Sequence, residues 1–199
     1  MLVVFEGIDG AGKETHIRIL RTWLKKNSIR SKFYKYPDLG GTLGQTIHAF
    51  LSKKLELTRK SLLLLFLSDI MKDQEVMETE NANPNRILFL DRYIASTVSY
   101  QCGRVEEGVK LVRDLGFIEP DLTILLDITA DTALERKYRQ KKKKRDRFES
   151  DRAFLRQVRN RYLKLASKKA LSKKWVILDA EQDVEVVSKQ IQEAILKLA

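Results

Sequence analysis

The chain carries one cysteine, Cys102, so no internal disulfide can form, which agrees with a reducing compartment. That residue reads as a small, semi-buried apolar side chain rather than a catalytic thiol. There is also no uncharged apolar run of the roughly 18 residues needed to span a bilayer. The apolar start LVVF is broken at once by Glu6, Asp9 and glycines, unlike a secretory leader. A cytoplasmic protein with no membrane partner is therefore expected. No internal repeat and no linker interrupts the 199 residues, whose 43% hydrophobic content is enough for one core covered on both faces, so a single domain over residues 1–199 is expected. The absence of any N-K-x-D guanine-reading sequence argues against a GTPase.

Acidic residues are scarce in one region. Of 38 basic and 27 acidic side chains, 18 and 3 fall between Arg136 and Lys174, leaving 20 and 24 elsewhere; the segment carries +15 and the remainder −4. Such a stripe suits nucleic-acid phosphates, but a loop that closes over a nucleotide triphosphate needs concentrated cations too. The bland alternative is a solvated helix face in a charge-rich chain.

What is present alternates between short apolar runs and helical spacing. LVVFE reads as a strand that ends in glycines, followed by a helix with Ile17, Leu20, Trp23 and Leu24 on one face. KFYKYP (32–37) is a second strand stopped by Pro37, and from Thr42 a helix presents Leu43, Ile47, Phe50 and Leu51. Thr58 is the expected N-cap of one long helix running through LLLLFLSDIMKDQEVM, whose apolar content on more than one face points to deep burial or a subunit contact. RILFLDRY (86–93) and DLTILLDI (121–128) have the continuous apolar form of strands buried on both faces, with helical pieces ended by Gly116 between them. A helix, a basic loop, a helix carrying Phe154, Val158, Tyr162 and Leu165, the strand WVILDA (175–180) and a helix from Val184 to Leu198 complete the chain. Five strands alternating with helices predict an α/β fold, a five-stranded parallel sheet with helices on both faces.

In such sheets ligands bind beyond the carboxyl ends of the strands, where the charged residues and glycines of this chain gather. GIDGAGKET (7–15) follows the first strand and matches the phosphate-binding pattern G-x-x-x-x-G-K-[ST] at Gly7, Gly12 and Lys13. Glycines let backbone N–H groups turn toward phosphate oxygens, the helix start adds its positive dipole end, and Lys13 reaches the β/γ phosphates. The final position of the pattern, a magnesium-binding hydroxyl, is Glu14. Asp91 and Arg92 close the third strand and supply an acid for magnesium-associated water and a cation for a second phosphate.

FEGIDGAGK, the YP of the second strand, DRYIASTVSYQ, EPDLTILLDI and the run ending in DRFE occur in this order over nearly the whole chain and together resemble the thymidylate kinase family of nucleoside monophosphate kinases. The resemblance implies a three-layer P-loop fold, transfer of the γ-phosphoryl of ATP to dTMP with Mg²⁺, and a homodimer. It implies ATP binding by Gly7, Ile8, Asp9, Gly10, Ala11, Gly12, Lys13, Glu14 and Thr15, with Lys13 stabilising the transferring group and Asp9 approaching the metal or the acceptor. By the same resemblance Asp91 supports the metal, Arg92 clamps the acceptor phosphate, and Lys35 takes the place of a family arginine. Phe66 matches an aromatic that stacks on thymine, and Tyr100 and Gln101 match residues that line and hydrogen-bond the base. The basic segment at about 136–147 matches the family's lid. Because the phosphate loop has Gly10 where another subtype has arginine, Arg139 and Arg145 are the candidates for transition-state charge.

Two positions depart from the family pattern. Glu14 replaces the metal-binding hydroxyl, although Thr15 keeps one next door; its carboxylate is a candidate magnesium ligand alongside Asp91. Ile70 stands where an arginine near the base is expected, so base recognition shifts to Gln101 or toward another pyrimidine. A nucleotide-binding regulatory protein derived from such a kinase is the competing reading. A nucleic-acid binder fits less well, because the basic stretch has little aromatic interleaving.

Overall fold

The computed structural model describes residues 1–139 and 151–198. Five parallel strands form one sheet in the order β2-β3-β1-β4-β5, comprising β1 (Leu2–Glu6), β2 (Ser31–Lys35), β3 (Ile87–Asp91), β4 (Leu122–Asp127) and β5 (Trp175–Asp179). Every residue of β1 and β3 is buried, as their unbroken apolar runs predict for strands covered on both faces.

The strand order reverses at β1. From there the chain moves through α1 (Lys13–Lys26) out to β2 and back to β3, then crosses through α5 (Ile94–Gln101) and α6 (Val105–Asp114) to β4 on the other side. Right-handed crossovers on either side of such a switch place their helices on opposite faces. Accordingly α1 packs with α9 (Val184–Leu196), while α5 packs with α3 (Arg59–Met71), α6 and α8 (Arg152–Ser167). The loops leaving β1 and β3 consequently open side by side at the switch point, the crevice where open α/β sheets bind ligands.

Three expectations need correction. The long helix from Thr58 is two helices, α3 and α4 (Gln74–Asn81), broken at Lys72–Asp73. Thr58 does cap α3, its Oγ1 accepting from Ser61 N at 3.1 Å. The break follows from tertiary bonds: Tyr36 Oη donates to Asp73 Oδ2 at 2.8 Å, and Gln74 Oε1 accepts from Tyr93 Oη and Ile118 N, both at 3.0 Å. β3 stops at Asp91 because Arg92 takes a left-handed φ of 70°, which no strand accommodates. β2 likewise ends at Lys35, two residues before Pro37, which has no N–H to continue the ladder.

α7 (Ala130–Arg139) takes in the start of the basic segment assigned to 136–147, and residues 140–147, with the candidate Arg145, lie outside the described residues. α2 (Thr42–Leu51) sits against the turn after β2, and that turn is tied to α3 by Asp38 N donating to Asp69 Oδ2 at 2.8 Å.

The α2 contact is close enough to test. A Cβ on Gly44 would lie 1.8 Å from Asp38 O, a backbone atom that cannot yield cheaply. Gly44→Ala is expected to cost about 2 kcal/mol of stability by overpacking, read as a lower urea midpoint at unchanged slope.

Candidate active site

The loop after β1 is wedged between two neighbours. A Cβ on Gly7 would stand 2.5 Å from Leu126 O of β4, and one on Gly10 would stand 2.9 Å from Ala133 O of α7; both residues also have positive φ. Only glycine meets the two demands together. Lys13 opens α1, is buried, and donates from Nζ to Gly7 O (2.9 Å) and Ile8 O (3.2 Å). Burial, with Arg92 adding to it, brings its ammonium down to about 8 against the pull of Asp91, Asp9 and Glu6. Glu14 and Thr15 lie in the first turn of the helix on the wall of the cleft, and Glu14 is exposed.

This cleft measures about 850 Å³. Arg92 lines the same cleft, its Nη1 sharing the acceptor Gly7 O with Lys13 Nζ, and its backbone N donates to Phe5 O at 3.0 Å. Arg92 Nη2 lies 2.5 Å from Asp9 Oδ1, and Nη1 donates to Gly7 O and Ser96 Oγ, each at 3.1 Å. Tyr100 completes the cluster: its Oη donates to Asp9 Oδ2 at 3.0 Å and its ring lies 5.1 Å beneath the guanidinium carbon. Burial alone would raise the Asp9 carboxyl, but Arg92, Lys137 and Lys13 outweigh it and hold the group well below the usual carboxylate range. The site thus keeps Asp9 ionised and holds Arg92 on the phosphate loop.

Asp91 lines the cleft, with Oδ2 3.7 Å from the Nζ of exposed Lys35 and with buried Oδ1 unpartnered. Among the described residues no group of three or more histidine, cysteine or acidic side chains forms a metal cage. Magnesium needs no such cage, since it is commonly held by one or two carboxylates plus waters and substrate phosphates. The free oxygen of Asp91 beside the phosphate loop fits that demand.

Tyr100 and Gln101 also line a second cavity of about 310 Å³, together with Phe50, Arg59, Phe154 and Arg161. Arg59 Nε donates to Gln101 O at 2.7 Å and Arg161 Nη1 to Ser99 O at 3.0 Å, so two guanidinium groups hold the last turn of α5. Phe66 is half-buried on α3 and lines neither cavity. Ile70 is 1% exposed within the core. Arg139 stands on the wall of the larger cleft with Arg136, whose Nη2 donates to Ala180 O at 2.8 Å.

Sequence reasoning did not single out Glu6, Ser96 or Tyr162, which form a buried polar cluster beneath Arg92. The signal for Glu6 was an acid closing an otherwise apolar strand. Tyr162 was assigned to a core stripe and carried no polar cue. Much of the basic segment proves to be paired to the body: Arg159 holds Asp127 with two bonds of 2.7 Å, Arg152 and Arg156 meet Asp131, and Lys164 and Lys168 meet Glu106.

A family model described as thymidylate kinase matches residues 5–191. The chain is 34% identical over 198 residues to the thymidylate kinase of Fervidobacterium nodosum, covering 96% of each. It is 32% identical over 194 residues to the probable thymidylate kinase of Methanocaldococcus jannaschii, covering 96% of this chain and 93% of that one. The solved structure of thymidylate kinase from Candida albicans superimposes with a TM-score of 0.76 at 25% identity, covering 98% of this chain and 91% of the other.

The position of Lys13 makes phosphate binding pH-dependent. Its ordinary value is 10.5, so between about pH 8 and 10.5 the unfolded chain keeps a proton that the folded chain has released, and this residue's contribution to stability grows as pH rises through that window. A bound triphosphate reverses the balance by favouring the charged ammonium. Triphosphate affinity is expected to fall above pH 8 by up to about tenfold per unit with proton uptake on binding, seen by calorimetry in buffers of different ionisation heat. Flat affinity to pH 9.5 would mean that the Lys13 ammonium of the free protein stays charged through that range.

Proposed function

The chain belongs to the thymidylate kinase family and is an ATP-dependent kinase that phosphorylates dTMP; on that premise we propose that ATP lies on the loop Gly7–Thr15 and that Arg92 receives the phosphate of dTMP. The observation that carries this reading is that the Asp9–Arg92–Tyr100 cluster and Lys13 meet at the phosphate loop, with Arg92 Nη1 and Lys13 Nζ both donating to Gly7 O at the wall of one cleft. A phosphate loop alone explains one anion. The half-buried Arg92 beside it explains a second.

The acceptor phosphate is already an adequate nucleophile at neutral pH, so catalysis rests on positioning and charge stabilisation, without a covalent enzyme intermediate. Backbone N–H groups of the loop and the start of α1 cradle the donor phosphates, and Lys13 carries charge to the group in transfer. Asp9 pulls Arg92 toward the phosphate loop, which brings the two substrates' phosphates to one place. Asp91, through its free Oδ1, and Glu14 are the residues that would hold Mg²⁺, which when bound neutralises charge on the phosphate oxygens. Tyr100 and Gln101 face the base, with Phe66 and Lys35 on the acceptor side. Ile70 leaves that side short of one donor, so the base is read through Gln101 and the cavity it lines.

Arg139, at the end of α7, begins the lid, assigned to about residues 136–147 of a single domain; Arg139 or Arg145 supplies charge as the lid closes and shuts out water. The homodimer is supported by α3, whose run Leu62–Leu67 spreads apolar side chains over more than one face and leaves Leu64 55% exposed. No helix among the described residues is long and apolar enough to cross a membrane, in keeping with a cytoplasmic enzyme.

The test is a coupled assay of ADP formation with Mg²⁺, offering dTMP, dUMP, dCMP, UMP, AMP and GMP separately against a control without acceptor. Turnover with dTMP is expected; ATP binding with no active acceptor would favour a regulatory nucleotide binder. Arg92→Ala is expected to lower turnover about 10²-fold or more and raise the KM for dTMP while leaving that for ATP within about threefold. Glu14→Ser is expected to raise activity or lower the Mg²⁺ requirement, measured by metal titration at fixed ATP; no change in either would make the side chain a bystander.

A further inference from the structure

Glu6, the last residue of β1, is fully buried, and none of the roles above uses it. Its Oε1 accepts from the backbone N–H groups of Tyr93 (3.0 Å) and Ser96 (3.1 Å), and its Oε2 accepts from Ser96 Oγ (2.5 Å) and Tyr162 Oη (2.9 Å). Tyr93 is the N-cap of α5 and makes no side-chain cap of its own. The carboxylate therefore caps α5 from another strand, where free N–H groups and the helix dipole favour a negative charge. Burial pushes its carboxyl up, while Ser96, Arg92 and Tyr162 favour the ion.

The position of this cap matters for its neighbour. Arg92 immediately precedes Tyr93 and holds φ 70°, a conformation that bulky L-residues resist. Arg92 N is bound by Phe5 O and Tyr93 N by Glu6 Oε1, so consecutive residues of β1 grip the chain on both sides of the turn. Ser96 Oγ then bridges Glu6 Oε2 to Arg92 Nη1 at 3.1 Å, and Tyr162 Oη lies 2.7 Å from that hydroxyl.

We propose that Glu6 is a positioning residue of the acceptor site: it locks Arg92 in its left-handed turn and, through the Ser96 hydroxyl, aims the guanidinium at the acceptor phosphate. The inference rests on the reading of Arg92 given above. A purely structural cap of α5 would hold the helix equally well but would not act selectively on one substrate.

Glu6→Gln separates these roles. The amide oxygen still accepts from Tyr93 and Ser96, whereas the amide nitrogen cannot accept from Ser96 Oγ and Tyr162 Oη. Calorimetric titration with dTMP and with ATP is expected to show about a tenfold loss of dTMP affinity in Glu6→Gln, with ATP affinity within about twofold of wild type. Combined with Arg92→Ala, Glu6→Gln is expected to add no further loss, because its effect passes through that side chain. Unchanged dTMP affinity, equal losses for both nucleotides, or full additivity with Arg92→Ala would overturn the proposal. If Glu6→Gln does not fold, Ser96→Ala, which removes the bridging hydroxyl and keeps both backbone donors, is read by the same criteria. Wild-type protein that binds ATP but not dTMP would overturn the role of Arg92 and this inference with it; wild-type binding of both with an inert Glu6→Gln would overturn this inference alone.

Discussion

The ion pair between Asp9 and Arg92 joins the loop after β1 to the turn after β3, and the shape of the cleft depends on it. The two strands are parallel neighbours with Phe5 opposite Asp91, so their loops leave the sheet at the same level and one short contact can couple them. Arg92 pays for that contact with a left-handed backbone, a cost of about 1–2 kcal/mol for a non-glycine residue. A hydrogen bond to a charged group is worth about 1.5–3 kcal/mol, so one such bond is enough to sustain the turn. Around the pair, Tyr100, Ser96, Tyr162 and Glu6 bond to it and to one another. A half-satisfied network at this depth would be more costly than an apolar one.

Charge is distributed with the same economy. Among the described residues, Lys13, Arg18, Lys35, Arg92, Arg136, Lys137 and Arg139 line one cleft with Asp9, Asp91 and Glu14 to balance them, which favours polyanions. Further along, the bases of α8 turn toward the body, and the two-pronged Arg159–Asp127 contact fixes that helix to the end of β4. Exposed pairs such as Lys164–Glu106 add little stability. Their effect is on geometry: α8 brings Tyr162 beneath Arg92, so that helix also supports the turn after β3.

The phosphate loop, the buried strands and the Asp91–Arg92 step were legible because each is a local signal: glycines at fixed spacing, unbroken apolar runs, charges at a run's end. The break between α3 and α4 was not, because Asp73 sits in an otherwise helical pattern and is held by Tyr36, while Gln74, which opens α4, is held by Tyr93, residues far off in the chain. Nor did periodicity distinguish Tyr162 from a core aromatic, since its hydroxyl finds Glu6 across 156 positions. Phe66 was singled out by its match to the family motif alone, because a half-buried aromatic among leucines carries no local cue that separates stacking from packing.

By itself the sequence determined the α/β class, the phosphate loop and the family, because strand hydrophobicity, glycine geometry and ordered motifs act over a few residues at a time. Only the tertiary structure decided that Arg92 leans on Asp9 rather than standing free, that Asp91 keeps one oxygen unpartnered, and that Glu6 caps α5. These facts depend on which strand ends are neighbours in the sheet, and that adjacency arises from long-range packing that no window of residues contains.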